Sequence, residues 1–297
     1  MRVVYSQQYA FDLRGHIWPT AKYRLVAERI VAERLVEARA LVAPPAASWE
    51  ELALVHTAGY LAKVRDGTLS EDEIQTLELP WMPALVDGFR LMTGGTCLAA
   101  ELALERGSAV HLGGGLHHAF PDHGEGFCLF NDIGVAIRRL QRAGRLERAV
   151  VVDCDVHHGN GTAVVFGRDP SVFTFSIHQQ HNYPFFKPLS DLDVGLRDGA
   201  GDDEYLERLA AALPLVMRSS PQLVLYVAGA DPFRGDRLGG LTLTFEGLRR
   251  RDRVVFETAR SAGVPVAVVL AGGYATDVAD TVEVHVGTVR EMLNAEC

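Results

Sequence analysis

Asp153, Asp155 and His157 follow one another at intervals of two, directly after the apolar run Ala149-Val150-Val151-Val152. Consecutive β-branched residues without polar alternation predict a strand covered on both faces. Side chains two apart on an extended segment leave on the same side. Two carboxylates and an imidazole are therefore expected together where a buried strand opens into the loop His157-His158-Gly159-Asn160-Gly161-Thr162. Buried carboxylates are costly unless paired, and a divalent cation is the simplest partner. Alone, the stretch is more simply an Asp/His-rich turn capping the next helix, so the metal reading depends on residues elsewhere.

Three other apolar runs end in residues of the same kind. Val110-His111-Leu112 opens into Gly113-Gly114-Gly115-Leu116-His117-His118, the run 223–228 is followed by Gly229-Ala230-Asp231-Pro232, and the run 264–270 ends in Ala271-Gly272-Gly273-Tyr274. Ligands of open parallel sheets bind outside the carboxyl ends of the strands, so these groups are expected to converge on one crevice. Asp155, His157 and Asp231 then form a set of two carboxylates and one imidazole. Three protein ligands leave positions for water and a substrate oxygen, as in catalytic zinc sites. His117 and His118 offer imidazoles for proton transfer near neutral pH, with Asp153 best placed to orient one of them. Tyr274 can bring its hydroxyl to a developing oxyanion.

The elements that must position these groups alternate along the chain. A short strand is expected over 3–5, and an amphipathic helix over 21–41 with Leu25, Val26, Ile30, Leu35 and Val36 at helical spacing. Ser48 with Glu51 reads as a capping box for a short helix. The stretch 67–83, acidic and containing Pro80 and Pro83, is expected as a surface loop. A helix follows over 84–106, where Gly94-Gly95 implies close packing of another element. Further helices are expected over 131–143, 203–218 with Pro214 bending it, 244–262 and 277–293. A strand is expected over 172–177, and a long loop over 178–203. Strands alternating with helices predict right-handed βαβ units and a mostly parallel sheet of about eight strands. No linker or composition break divides 1–297, which is expected to be a single α/β domain.

Composition narrows the class. Of 297 residues 48% are hydrophobic and 23% charged, and the net charge of −9 argues against nucleic acid as the main partner. No stretch approaches the ~20 apolar residues of a membrane helix, and the opening Met-Arg-Val-Val-Tyr-Ser is too short an apolar run for a secretory signal. Cys97, Cys128, Cys154 and Cys297 contain no Cys-x-x-Cys pair and are expected as reduced thiols in a cytoplasmic protein. Cys154 alternates away from its acidic neighbours and is expected in the core.

Taken in order, Gly-Gly-Gly-Leu-His-His, Gly-Phe-Cys-Leu-Phe-Asn-Asp, Asp-Cys-Asp-Val-His-His-Gly-Asn-Gly, Gly-Ala-Asp-Pro and Ala-Gly-Gly-Tyr resemble the arginase/deacetylase superfamily on its histone-deacetylase side. Thr93-Gly94-Gly95-Thr96 and Gly235-Asp236-Arg237-Leu238-Gly239-Gly240-Leu241 look most like the class IV branch, including its bacterial members. The resemblance implies that Asp155, His157 and Asp231 bind zinc, with ferrous iron as the other option. It implies that His117 and His118 are the acid–base pair, Asp153 orients His117, and Tyr274 stabilises the oxyanion. Asn160 stands where many members carry a second orienting acid for His118, which should leave His118 less basic. A structural potassium ion is implied at Asp153, Asp155, His157, Ser176 and Ile177, with a weaker match at Phe166. Leu116, Gly126, Phe127, Gly272 and Gly273 are implied as tunnel wall, Leu116 replacing a tryptophan of many relatives.

The implied reaction is hydrolysis of an N-acyl amide, of acyl-lysine on a protein or peptide or of a small acylated amine, by metal-activated water. An acylated polyamine would favour an acidic rim, for which Glu125 or 71–73 could serve, and His16 and Trp18 are candidates for the surface near the entrance. Two rivals stay open. A two-manganese ureohydrolase would need further aspartates, whereas Pro232-Phe233 follow Asp231. A non-catalytic acyl-binding module on the same fold would bind without turnover.

Overall fold

All eight strands of the sheet run parallel, in the order β2-β1-β3-β8-β7-β4-β5-β6. They are β1 (Arg2–Val4), β2 (Leu41–Val42), β3 (Ser108–His111), β4 (Ala149–Asp153), β5 (Val172–Gln179), β6 (Leu192–Leu196), β7 (Leu223–Val227) and β8 (Val266–Val269). This is a computed structural model describing residues 1–13 and 15–296, so Cys297 lies outside the described residues. The helices are α1 (Ala21–Ala32), α2 (Trp49–Leu52), α3 (Ala58–Asp66), α4 (Glu71–Leu77), α5 (Pro83–Arg106), α6 (Asp132–Arg142), α7 (Asn160–Phe166), α8 (Asp202–Met217), α9 (Phe245–Ser261) and α10 (Val278–Glu296).

Period-two alternation sends successive strand residues to opposite faces, and both faces are covered, as parallel sheets require. Val151, Leu225 and Ala267 pack with α5 and α6, whereas Val150, Val152, Val224 and Val268 pack with α1, α8, α9 and α10. Gly94 and Gly95 of α5 let Pro45 and the His111 ring approach: a β-carbon there would fall 1.8 Å from the Pro45 carbonyl oxygen and 2.3 Å from His111 Nε2. Cys97, Cys128 and Cys154 are free and buried, Cys154 within the core expected of it. Among the described residues no helix is long and apolar enough to cross a membrane.

The structure corrects several expected boundaries. The apolar spacing across 21–41 continues past the true end of α1: Arg34 adopts φ 58°, and Leu35 and Val36 both donate backbone hydrogen bonds to the Ile30 carbonyl. Leu41–Val42 then form β2 instead of more helix. The stretch 67–83 is not all loop, because Ser70 and Glu73 form a reciprocal capping box that starts α4. The loop expected over 178–203 contains β6, whose Gly195 and Asp193 disguise it. Pro214 lies inside α8 without ending it.

Candidate active site

Parallel register brings the carboxyl ends of β3, β4, β7 and β8 to one edge. β4 stops at Asp153, and residues 154–158 form a turn instead of further strand. The Asp155 amide donates to Asp153 Oδ1 (3.1 Å), the His157 amide to Asp155 Oδ1 (3.0 Å) and the Val156 amide to Asp231 Oδ1 (2.9 Å). The same-side arrangement expected of an extended segment is thus achieved by carboxylates that accept from their own turn.

Asp155, His157 and Asp231 are buried, and one ligand atom from each lies within 4.8 Å of the others. His157 Nδ1 is 3.1 Å from Asp155 Oδ1 and 3.5 Å from Asp231 Oδ2, and Asp231 Oδ2 has no hydrogen-bond partner among the described residues. Two glycines keep the space open. A β-carbon on Gly272 would sit 1.8 Å from Asp231 Oδ2, and one on Gly229 2.4 Å from Asp155 Oδ2. Burial and the neighbouring Asp155 charge push the Asp231 carboxyl up to about 7. Burial opposes charge on His157, but Asp155 and Asp231 outweigh it and lift its pKa to about 10. Both shifts have the sign expected where two buried carboxylates call for positive charge between them. An orphaned buried carboxylate oxygen in a two-carboxylate, one-imidazole set fits a divalent cation.

The glycine-rich loop after β3 presents the paired histidines. Gly114 and Gly115 have φ of 72° and 76°, and the buried Asp132 at the start of α6 gathers the loop, accepting from the Gly115 amide (3.0 Å), the Leu116 amide (2.7 Å) and the Thr96 hydroxyl. His117 Nδ1 meets Asp153 Oδ2 at 2.7 Å, and His118 Nδ1 meets Asn160 Oδ1 at 2.7 Å. The two environments differ in sign. Burial opposes protonation of His117, but Asp153 and Asp155 raise it to about 9. Burial and the neighbouring His117 and His157 hold His118 well below the usual range.

Tyr274 follows Gly273 (φ 140°) and is fixed through its backbone: its amide donates to Asp236 Oδ2 (2.6 Å), and its carbonyl accepts from Arg237 Nε (3.1 Å). This gives the Gly235–Gly240 motif a physical task, since Asp236 also accepts from the amides of Leu238 (2.8 Å) and Gly239 (3.0 Å). A cavity of about 180 Å³ joins His117, His118, Asp155, His157 and Tyr274, walled by Leu116, Gly126, Phe127, Tyr183 and Gly272. Gly273 faces Thr281 and His285 instead. Trp18, expected near the surface, is 5% exposed and lines the cavity; His16 packs its ring on Phe127 at 4.8 Å. At the mouth the acid lining the cavity is Glu78, not 71–73. Ser176 pairs in register with Asp153, and its hydroxyl lies 2.9 Å from His178 Nδ1; Ile177 is buried beside it, and the Phe166 carbonyl accepts from the Asp169 amide (2.8 Å). A second cluster is formed by His158, His178 and Asp193, with His158 Nε2 3.1 Å from Asp193 Oδ1 and His178 Nδ1 2.9 Å from the Ser176 hydroxyl.

Two buried cations support the site and escape a reading of motifs. Lys22 of α1 donates to the Ala271 carbonyl (2.7 Å), and its ammonium lies 5.5 Å from the Tyr274 ring centroid. Burial lowers its pKa to about 8 against the pull of Asp231, Asp155 and Asp236. The available signal is a lysine in the buried stripe Lys22, Val26, Ile30. Arg251 of α9 donates to the carbonyls of Gly229 (2.6 Å) and Cys154 (3.4 Å), tying together the loops that carry Asp231 and Asp155. Its partner Asp252 also accepts from Tyr226 and Thr288.

Fold and site define an α/β protein with a crevice at the carboxyl edge of a parallel sheet, holding a donor set that fits a divalent cation. The histone deacetylase domain matches residues 16–289, and the chain belongs to that family. It is 33% identical to histone deacetylase 2 of Arabidopsis thaliana over 95% of this chain and 77% of that one. It is 35% identical to the polyamine deacetylase HDAC10 of Rattus norvegicus over 67% of this chain and 38% of that one. A crystal structure of an HDAC homolog complexed with SAHA superposes with a TM-score of 0.83 over 99% of this chain and 84% of that one, at 24% identity, showing the shared fold.

Proposed function

We propose that this protein is a metal-dependent amidohydrolase that removes the acyl group from acyl-lysine, in the cytoplasm. The observation carrying the reading is that Asp155 and His157, the paired histidines and Tyr274 border one cavity, with Asp231 completing the donor set beside it. Zinc, or ferrous iron, bound by those three residues would supply Lewis acidity and lower the pKa of water. His118, neutral and held through Nδ1 by Asn160, has Nε2 available as general base. His117, paired with Asp153, is the better-supported proton donor to the leaving amine. Tyr274 is kept protonated by burial and by Asp231 and Asp155, so its hydroxyl can donate to the oxyanion. Potassium at the 153–157 turn, Ser176 and Ile177 belongs to the same proposal, and replacing potassium by sodium tests it.

Glu78 at the mouth favours a second substrate reading, a cationic acylated polyamine, in line with the name of the rat relative. A panel of acetyl-, short- and long-chain acyl-lysine peptides with acetylpolyamines, run on the zinc- and iron-loaded protein and on Tyr274→Phe, decides between them. The expected result is acyl-lysine turnover that falls about a hundredfold or more in Tyr274→Phe. No turnover of any amide by either protein favours the acyl-binding module, and two bound transition metals per chain favour the ureohydrolase.

A further inference from the structure

His118 and Asn160 are followed by a third group. Asn160 Nδ2 donates to Glu125 Oε1 at 2.8 Å, while Asn160 Oδ1 faces His118 Nδ1 at 2.7 Å. Glu125 is itself held in place: Tyr183 donates its hydroxyl to Oε1 (2.8 Å), and His123 Nε2 lies 3.4 Å from Oε2. The two ends of an amide are chemically distinct, one accepting only and the other donating only, and a carboxylate accepts only. Were Asn160 turned over, its oxygen would face the Glu125 carboxylate with no proton between them. Glu125 therefore selects one of the two amide orientations. With Oδ1 directed at His118, Nδ1 must carry the ring proton and Nε2 the lone pair.

We propose that Glu125 is a positioning residue that acts through Asn160, fixing the tautomer in which His118 has Nε2 free to accept a proton. This rests on the acyl-amide reading above, with His118 in the proton-transfer pair. It also gives a reason for an amide at 160: an aspartate there would bring two carboxylates to the 2.8 Å now spanned by a hydrogen bond.

A double-mutant cycle on the zinc-loaded protein tests it. Glu125→Gln should lower kcat about ten- to a hundredfold with KM little changed, because the amide is then free to turn. Asn160→Asp should be worse than wild type, and adding Glu125→Gln to it should restore activity, since the glutamine amide can donate to the new carboxylate. A role for Glu125 confined to holding Tyr183 or its own loop would make Glu125→Gln harmful in both backgrounds, and that result overturns the proposal. Imidazole ¹⁵N shifts of His118 give a readout independent of turnover: the Nδ1–H form in wild type and a mixture in Glu125→Gln. A wild-type protein with the proton on Nε2 also overturns it. If wild type hydrolyses no acyl amide, the functional reading fails, while the ¹⁵N measurement still decides the tautomer.

Discussion

The floor of the cavity and its rim are built on different principles. The floor takes each functional group from a strand end or a glycine turn, and each is braced by a group from another element: Asp132 behind Leu116, Arg251 behind Gly229, Asp236 behind Tyr274. The rim is made largely by loops, and Phe185 and Phe186 stand out in water in an adjoining groove that shares Glu78 and Tyr183 with the cavity. A braced floor keeps one geometry, whereas an exposed rim can change its residues at little cost to stability. Chemistry is therefore expected to be insensitive to rim changes, and substrate choice to be set there.

Removing a ligand should produce the largest effect. Asp155→Asn and Asp231→Asn should abolish stoichiometric zinc binding, read by native mass spectrometry, and lower kcat/KM by about a thousandfold or more. Full metal occupancy in either variant would break the contrast at its strongest point. Next, Arg251→Met leaves Asp252 without its buried partner and should cost about 3 kcal/mol in chemical denaturation, with weakened zinc affinity because both ligand loops lose an anchor. An unchanged zinc affinity would reduce Arg251 to a stability element.

Acid should also act on the floor's supports. Burial lowers the pKa of His56 to about 4 and of His111 to about 3, below the unfolded value near 6.5. The unfolded chain then binds more protons below pH 6.5, so stability is full above that pH and is lost as pH falls towards 4, by up to about 1.4 kcal/mol per unit for each histidine. Denaturation midpoints flat from pH 7 to 5 would contradict this. The smallest effect is expected at the rim. Phe185→Ser with Phe186→Ser should leave stability within about 0.5 kcal/mol and kcat unchanged, while KM for acyl-peptides shifts several-fold relative to acyl-amines. An equal shift for both substrate classes would argue against the rim as selector.

Floor and rim were not equally legible in the sequence. Val150–Val152 followed by Asp153, and the glycines before His117 and Tyr274, mark strand ends because buried β-branched runs and turn residues are local signals. Their convergence follows from parallel topology alone. Lys22 and Arg251 were not legible, because a charged residue on a helix reads as solvent-facing until its neighbours are known to be core. In the segment leading to Glu78, Ser70 and Glu73 did carry a capping signal, outweighed by Pro80 and the acidic run. β6 is too marked by Asp193 and Gly195 for its pairing with β5 to be read without coordinates.

The sheet order has a consequence for synthesis. β8 sits between β3 and β7, so the ribbon β2-β1-β3 and the ribbon β7-β4-β5-β6 share no strand pairing until residues 266–269 leave the ribosome. Two raw edges, lined by Val110 and Leu225, must wait for the last strand to be made. Ribosome-bound chains stalled before residue 266 should therefore be open to protease and to chaperone capture, and should close only when that late strand joins the two halves.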